Sequence, residues 1–201
     1  DHDIDIKNMY INFGLIEPNT LLDIIKNCFK NKFNNINPTF KEFVKLTKKH
    51  MYITGTNLST HTLDVFNAND YPEMPILKAI EISVSIPFIF TKVAYNNDIY
   101  VDGGVTCMYP SKIFKNIDKK KQLCIYIVPP NVNIDLSDPK SYIMAIVSTL
   151  LKSQHNEDNN IEKIIIDNNV HINLVDYKSR DVTSMFDYGK DKADNFIKKI
   201  S

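Results

Sequence analysis

A carboxylate at the end of an apolar strand is the most suggestive chemistry in these 201 residues. Ile99-Tyr-Val runs straight into Asp102-Gly103-Gly104. Two glycines let backbone approach closely, and in open α/β sheets ligands sit at the carboxyl ends of strands, so Asp102 is placed to act as a general base. The same three residues also suit a tight turn after a hairpin strand, and composition leaves both readings open.

The nucleophiles and ligands such a base could serve are scarce. The five glycines, Gly14, Gly55, Gly103, Gly104 and Gly189, contain no pair four apart, which excludes a Gly-x-Ser-x-Gly elbow within the chain. No Gly-x-Gly-x-x-Gly is present, and Gly189-Lys190 lacks the upstream glycine of a phosphate-binding loop. The five histidines, His2, His50, His61, His155 and His171, include no i, i+4 pair for a helical zinc site. Asp1-His2-Asp3 with Asp5 reads as a solvated terminus, so neither a metal nor a cofactor is expected. Ser59 and Ser85 are the serines nearest the aspartate, and their hydroxyls are expected to bond backbone.

The elements that would hold Asp102 follow from periodicity. Residues 20–33 form an amphipathic helix through Leu21, Leu22, Ile25, Phe29 and Phe33, with Thr20 as N-cap and Asp23 as the capping-box acid. A short helix through Phe40, Phe43, Val44 and Thr47 follows, with Lys48, Lys49 and His50 in its last turn. Residues 51–56 and 63–67 read as a strand pair. A deeply buried helix opens at Pro75 and ends near Ile86, before Pro87. Val93-Ala-Tyr and Ile99-Tyr-Val flank Asn96-Asn97-Asp98 as a hairpin. Residues 123–128 suit a strand covered on both faces, and 142–152 a helix. Residues 154–160 form a solvated loop, 161–167 a helix or turn, 171–175 a strand and 187–200 a closing helix with Ala193, Phe196, Ile197 and Ile200 on one face. Strands alternating with helices define an α/β layered fold.

Charge narrows the partners. Twenty-four Lys plus Arg balance twenty-four Asp plus Glu, so no net field draws in a nucleic-acid backbone. The longest apolar stretches, 82–90 and 142–151, are interrupted by Ser or Pro and fall short of the ~20 residues of a transmembrane helix. Cys28, Cys107 and Cys124 are odd in number and widely spaced, as in reduced core residues of an intracellular, cytoplasmic protein. The opening Asp-His-Asp-Ile-Asp has no signal-peptide character.

Four segments together resemble the patatin-like phospholipase family in order and spacing. They are Ile53-Thr-Gly-Thr-Asn-Leu-Ser-Thr60, Met74-Pro75 opening a helix, Ser83-Val-Ser-Ile-Pro-Phe-Ile-Phe90, and Ile99-Tyr-Val-Asp-Gly-Gly-Val105 with Tyr109-Pro110. Phe40-Lys-Glu-Phe43 also fits, and Phe186, Gly189, Ala193 and Phe196 resemble the family's closing helix.

The resemblance implies a three-layer α/β/α fold and lipid acyl hydrolysis by a serine–aspartate dyad. Asp102 matches the family's aspartate, with Gly103 and Gly104 completing the motif. It implies phospholipid or other acyl-lipid substrates and transient contact with membrane surfaces, for which Lys119-Lys120-Lys121 and the Lys-rich 26–49 region are candidates. The family's oxyanion loop and nucleophile elbow have no counterpart here, so residues 1–201 are expected to be the later, C-terminal portion of a single patatin-like domain, incomplete at its N-terminus and inactive alone. The alternative is a non-catalytic patatin-like domain that binds lipid or a protein partner.

Overall fold

A computed structural model of the chain describes residues 13–127, 161–166 and 182–200, together with parts of 142–149. The described residues up to Pro110 form one compact unit, and those from Ser111 onward another.

In the first unit, β1 (Gly14–Ile16) leads into α1 (Asn19–Phe33). Leu22 is buried and Ile25, Phe29 and Phe33 are half-buried, so the expected apolar face is present. Leu21 is exposed, off the stripe that runs through 22, 25, 29 and 33. The start of the helix differs from expectation. Pro18 occupies the N-cap position, Thr20 and Asp23 lie within the helix, and no side chain caps it. Proline supplies a preset φ and needs no backbone donor there, so the helix starts without a capping hydroxyl.

The second helix, α2 (Phe40–Thr47), has the capping box that α1 lacks. Thr39 Oγ1 accepts from the Glu42 amide at 3.2 Å, and Glu42 Oε2 accepts from the Thr39 amide at 2.9 Å. Lys48 adopts left-handed backbone and ends the helix, which leaves Lys49 and His50 beyond its last turn.

Four strands then make the sheet that carries the site. β2 (Ile53–Asn57) and β3 (Thr62–Phe66) pair antiparallel, from Ile53 opposite Phe66 to Asn57 opposite Thr62. β4 (Phe88–Phe90) lies outside this sheet, pairing parallel with β1. β5 (Val93–Tyr95) and β6 (Asp98–Asp102) form the expected hairpin, with Asn96 and Asn97 at φ of 49° and 67° supplying the left-handed turn. β6 pairs antiparallel with β2, giving the order β3-β2-β6-β5.

The buried helix, α3 (Ile76–Ser83), packs on this sheet through Ile76, Leu77, Ala79 and Ile82. It closes at Val84, slightly short of Ile86. Phe40, Phe66, Met74, Val93 and Tyr100 join its Ile76, Ala79 and Ile82 in one hydrophobic cluster. Gly55 on β2 makes the packing possible, because any Cβ there would collide with Ile82 and the Phe66 ring.

In the second unit, β7 (Leu123–Ile127) pairs parallel with β8 (Glu162–Ile166), and α4 (Val182–Ile200) packs on β8. Three expectations are corrected here. Residues 161–167, expected as helix or turn, contain a strand, as suits a short run of β-branched isoleucines. β7 is not covered on both faces: Leu123, Ile125 and Ile127 are exposed while Cys124 is buried. The closing helix begins at Val182, earlier than expected, and Ile197 is exposed whereas Ala193 and Phe196 are half-buried.

The described parts of 142–149 are helical, with Thr149 Oγ1 donating to the Ala145 carbonyl. The loop at 154–160 and the strand at 171–175 lie outside the described residues. The α/β class expected from the sequence is the class observed.

Candidate active site

Asp102 is the last residue of β6, at the point where its ladder with β2 ends opposite Gly55. Its backbone is held on both sides. The amide donates to the Ser85 carbonyl at 2.9 Å, and the carbonyl accepts from Thr56 Oγ1 at 2.8 Å. A single 3-10 turn, Gly103–Val105, follows. Within it the Gly104 amide donates to Asp102 Oδ1 at 2.6 Å, and the Thr106 and Cys107 amides close on the Gly103 carbonyl.

The glycine at 103 is required by space. A Cβ there would lie 2.8 Å from the Thr54 carbonyl carbon and would also overlap the Thr54 side chain. No described glycine takes a left-handed φ, so backbone freedom is not the reason.

Burial pushes the Asp102 carboxyl up from 3.8 to about 6, and the Gly104 amide opposes part of that rise. Oδ1 is taken by Gly104, while Oδ2 has no hydrogen-bond partner among the described residues. A carboxylate that is anchored through one oxygen, open at the other and ionised above about pH 6 can accept a proton from a hydroxyl.

The two serines are engaged as expected. Ser85 is fully buried and its Oγ donates to the Glu81 carbonyl at 2.6 Å. Ser59 Oγ accepts from the Ile99 amide at 3.2 Å. Lys119–Lys121 forms an exposed 3-10 turn in the second unit. Among the described residues no group of three His, Cys, Asp or Glu could hold a metal. His2, His155, His171 and the Asp1-His2-Asp3 terminus lie outside them.

Sequence reasoning missed the polar network behind the site. Asn57, 2 % exposed, donates from Nδ2 to Asp64, Asp98 and the Tyr100 hydroxyl at 3.1–3.2 Å. Its Oδ1 accepts from the Ser59 and Thr60 amides. The Tyr100 hydroxyl in turn donates to Asp64 Oδ2 at 2.9 Å, and burial together with Asp64 raises its pKa well above the ordinary 10.0. Asn57→Ala strips five polar contacts, three of them sharing the two Nδ2 protons, from this junction of β2, β3 and β6. It is expected to cost about 2 kcal/mol in urea unfolding, the penalty of leaving buried donors and acceptors unpaired.

A mostly apolar cavity of about 460 Å³ lies in the same unit, lined by Phe13, Leu58, Phe88, Phe90 and Val101 among others. Lys92 is the cation on its wall, with Nζ 4.0 Å from the centre of the Phe13 ring.

These features define an α/β protein built around a part-buried strand-end Asp-Gly-Gly turn. Residues 4–115, more than half of the chain, match the model of the patatin-like phospholipase family, and the chain belongs to that family. Uncharacterized protein R571 of Acanthamoeba polyphaga mimivirus is 29% identical over 170 residues, covering 77% of this chain and 56% of the relative. Probable lipid hydrolase 463L of Invertebrate iridescent virus 6 is 30% identical over 165 residues, covering 80% and 52%. The chain thus spans about half the length of the curated relatives it matches. No described helix is long and apolar enough to cross a membrane.

Proposed function

We propose that the intact protein hydrolyses fatty acyl esters of phospholipids or neutral lipids, with Asp102 as the general base of a serine–aspartate dyad. Family membership supports acyl-lipid chemistry, as does the relative named as a lipid hydrolase. The observation that carries the reading is the Asp102 carboxyl, part-buried, tied at Oδ1 by the Gly104 amide and without a hydrogen bond at Oδ2 among the described residues.

The hydroxyl it would deprotonate belongs to a Gly-x-Ser-x-Gly segment that these 201 residues do not contain, so they form the later portion of one catalytic domain. The serine proton passes to Oδ2 as Oγ attacks the ester carbonyl, and the same proton goes to the departing alcohol. Water then loses a proton to Oδ2 as it attacks the acyl-serine, and the serine recovers that proton as the fatty acid leaves. The apolar cavity is lined by Val101, next to Asp102 in the chain, but not by Asp102 itself; its volume lies within the usual 300–1,000 Å³ range of ligand sites, and its apolar wall would suit an aliphatic chain. Transient contact with a membrane surface through the exposed Lys119–Lys121 turn fits the same reading.

The test is fluorophosphonate labelling of the intact natural protein, with mass-spectrometric mapping and an assay of fatty-acid release from phosphatidylcholine vesicles. A serine adduct within a glycine-flanked elbow, with fatty acid released, is the expected result. A folded protein that takes no label and releases nothing would instead be a non-catalytic domain that binds lipid or a protein partner.

A further inference from the structure

The ladder between β2 and β6 stops at Gly55 opposite Asp102, so sheet hydrogen bonds no longer guide the chain where the Asp-Gly-Gly turn begins. Two side chains take over. Thr56 Oγ1 lies 2.8 Å from the Asp102 carbonyl and 2.7 Å from Thr106 Oγ1. A hydroxyl has one proton, and a carbonyl can only accept. The Thr56 proton is therefore committed to Asp102, and Thr106 must donate to Thr56. The order Thr106 O–H to Thr56 O–H to Asp102 C=O is the one assignment that satisfies all three groups.

Thr56 is 5% exposed, so little water competes for either bond. The two threonines are fifty residues apart in the chain, and their contact attaches both ends of the turn, residues 102 and 106, to the central strand. Between those ends lies the Gly104 amide that holds Oδ1.

We propose that Thr56 and Thr106 are positioning residues for Asp102, their paired hydroxyls fixing the turn so that Gly104 keeps Oδ1 and Oδ2 faces the proton donor. This rests on Asp102 acting as the base. Neither threonine touches the reacting atoms; both act through the backbone that carries the carboxylate.

The test compares Thr56→Val, Thr56→Ser and Thr106→Val in the intact natural protein. Valine keeps the shape and removes the hydroxyl, whereas serine keeps the hydroxyl. Misplacement of a reacting group by even 1 Å can cost ~100-fold, so Thr56→Val is expected to lower kcat about 10- to 100-fold with little change in KM. Thr106→Val, which leaves the Thr56 bond to Asp102 in place, should lose less, and Thr56→Ser should restore most of the rate.

A second readout needs no catalysis. Carbon-13 carboxyl NMR, assigned by the signal lost in Asp102→Asn, follows the titration of Asp102 itself. A loosened turn admits water, which lowers the Asp102 midpoint, and weakens the Gly104 bond, which raises it; burial is the larger of the two, so the midpoint is expected to fall in Thr56→Val, less in Thr106→Val and not in Thr56→Ser. Unchanged titration in both valine variants, with turnover within about threefold of the parent, overturns the proposal. If Thr56→Val does not fold, Thr106→Val and Thr56→Ser decide the matter. Full activity in Asp102→Asn would instead remove the base assignment, and the titrations would still report whether the threonines hold the turn.

Discussion

Asp102→Asn in the intact protein is expected to lower acyl-ester hydrolysis by about 10²–10⁴-fold while making the fold more stable at neutral pH. The two effects share one cause. Asparagine keeps an oxygen for the Gly104 amide, so the turn retains its shape, but it cannot take a proton. Removing the base therefore costs rate without costing geometry.

The stability change follows from the raised carboxyl. Below 3.8 Asp102 is protonated whether the chain is folded or unfolded, and its burial carries no ionic penalty. As pH rises from there towards about 6, the unfolded chain releases the proton and the folded one retains it, so stability falls. Above that window both states are ionised, and a shift of about two units leaves a full penalty of about 3 kcal/mol. Asparagine avoids it. The variant should gain about 2–3 kcal/mol at around pH 8, and the gain should vanish near pH 4. Urea unfolding of both proteins at the two pH values measures this. A gain that does not depend on pH would defeat the argument from burial, and activity above about a tenth of the parent would remove Asp102 from the chemistry.

Gly103→Ala acts on the same site through space alone. Its new Cβ would stand 2.8 Å from a backbone carbon of Thr54, which lies in the central strand and cannot rotate away as a side chain could. The turn or the strand must shift, and overpacking of this kind costs about 1–3 kcal/mol. We expect the upper end, about 3 kcal/mol, because the collision is with backbone in the middle of a four-stranded sheet. Activity should fall at least tenfold as well, since the shifted residue adjoins the carboxylate. Thermal unfolding combined with the hydrolysis assay separates the two losses. A variant as stable and as active as the parent would show that the contact relaxes without consequence.

What could be read from the sequence was local. The Asn96-Asn97 turn announces its hairpin because left-handed backbone selects those residues, and the apolar run after Pro75 announces a buried helix. Asp102 stood out because strand, aspartate and two glycines follow one another directly. What depends on partners far away in the chain could not be read. Residues 161–167 read as helix or turn, wrongly, because a short isoleucine run serves a helix or a strand equally well until a neighbour such as β7 is known. Cover over β7 was inferred from an unbroken apolar run, yet alternate residues are exposed. Thr56 and Thr106 carried no mark of their pairing, since it arises from strand register across fifty residues. The alternation in Thr54-Gly55-Thr56 was the faint signal: small residues in a strand allow something to lie close against it.

The geometry of the turn also bears on how the protein ages. Aspartyl-glycyl linkages are prone to isomerise, because the unhindered glycine nitrogen can attack the preceding side-chain carboxyl and close a succinimide ring. A protonated carboxyl is the better electrophile, so raising Asp102 to about 6 would by itself speed that damage near neutral pH. The fold opposes it. Asp102 is held at ψ of 134°, with Oδ1 taken by the Gly104 amide and its own amide and carbonyl both hydrogen-bonded, an arrangement that ring closure would have to break. The turn that presents the carboxylate thereby shields it from self-inflicted chemical wear, and isoaspartate at 102 should accumulate only in molecules that have unfolded.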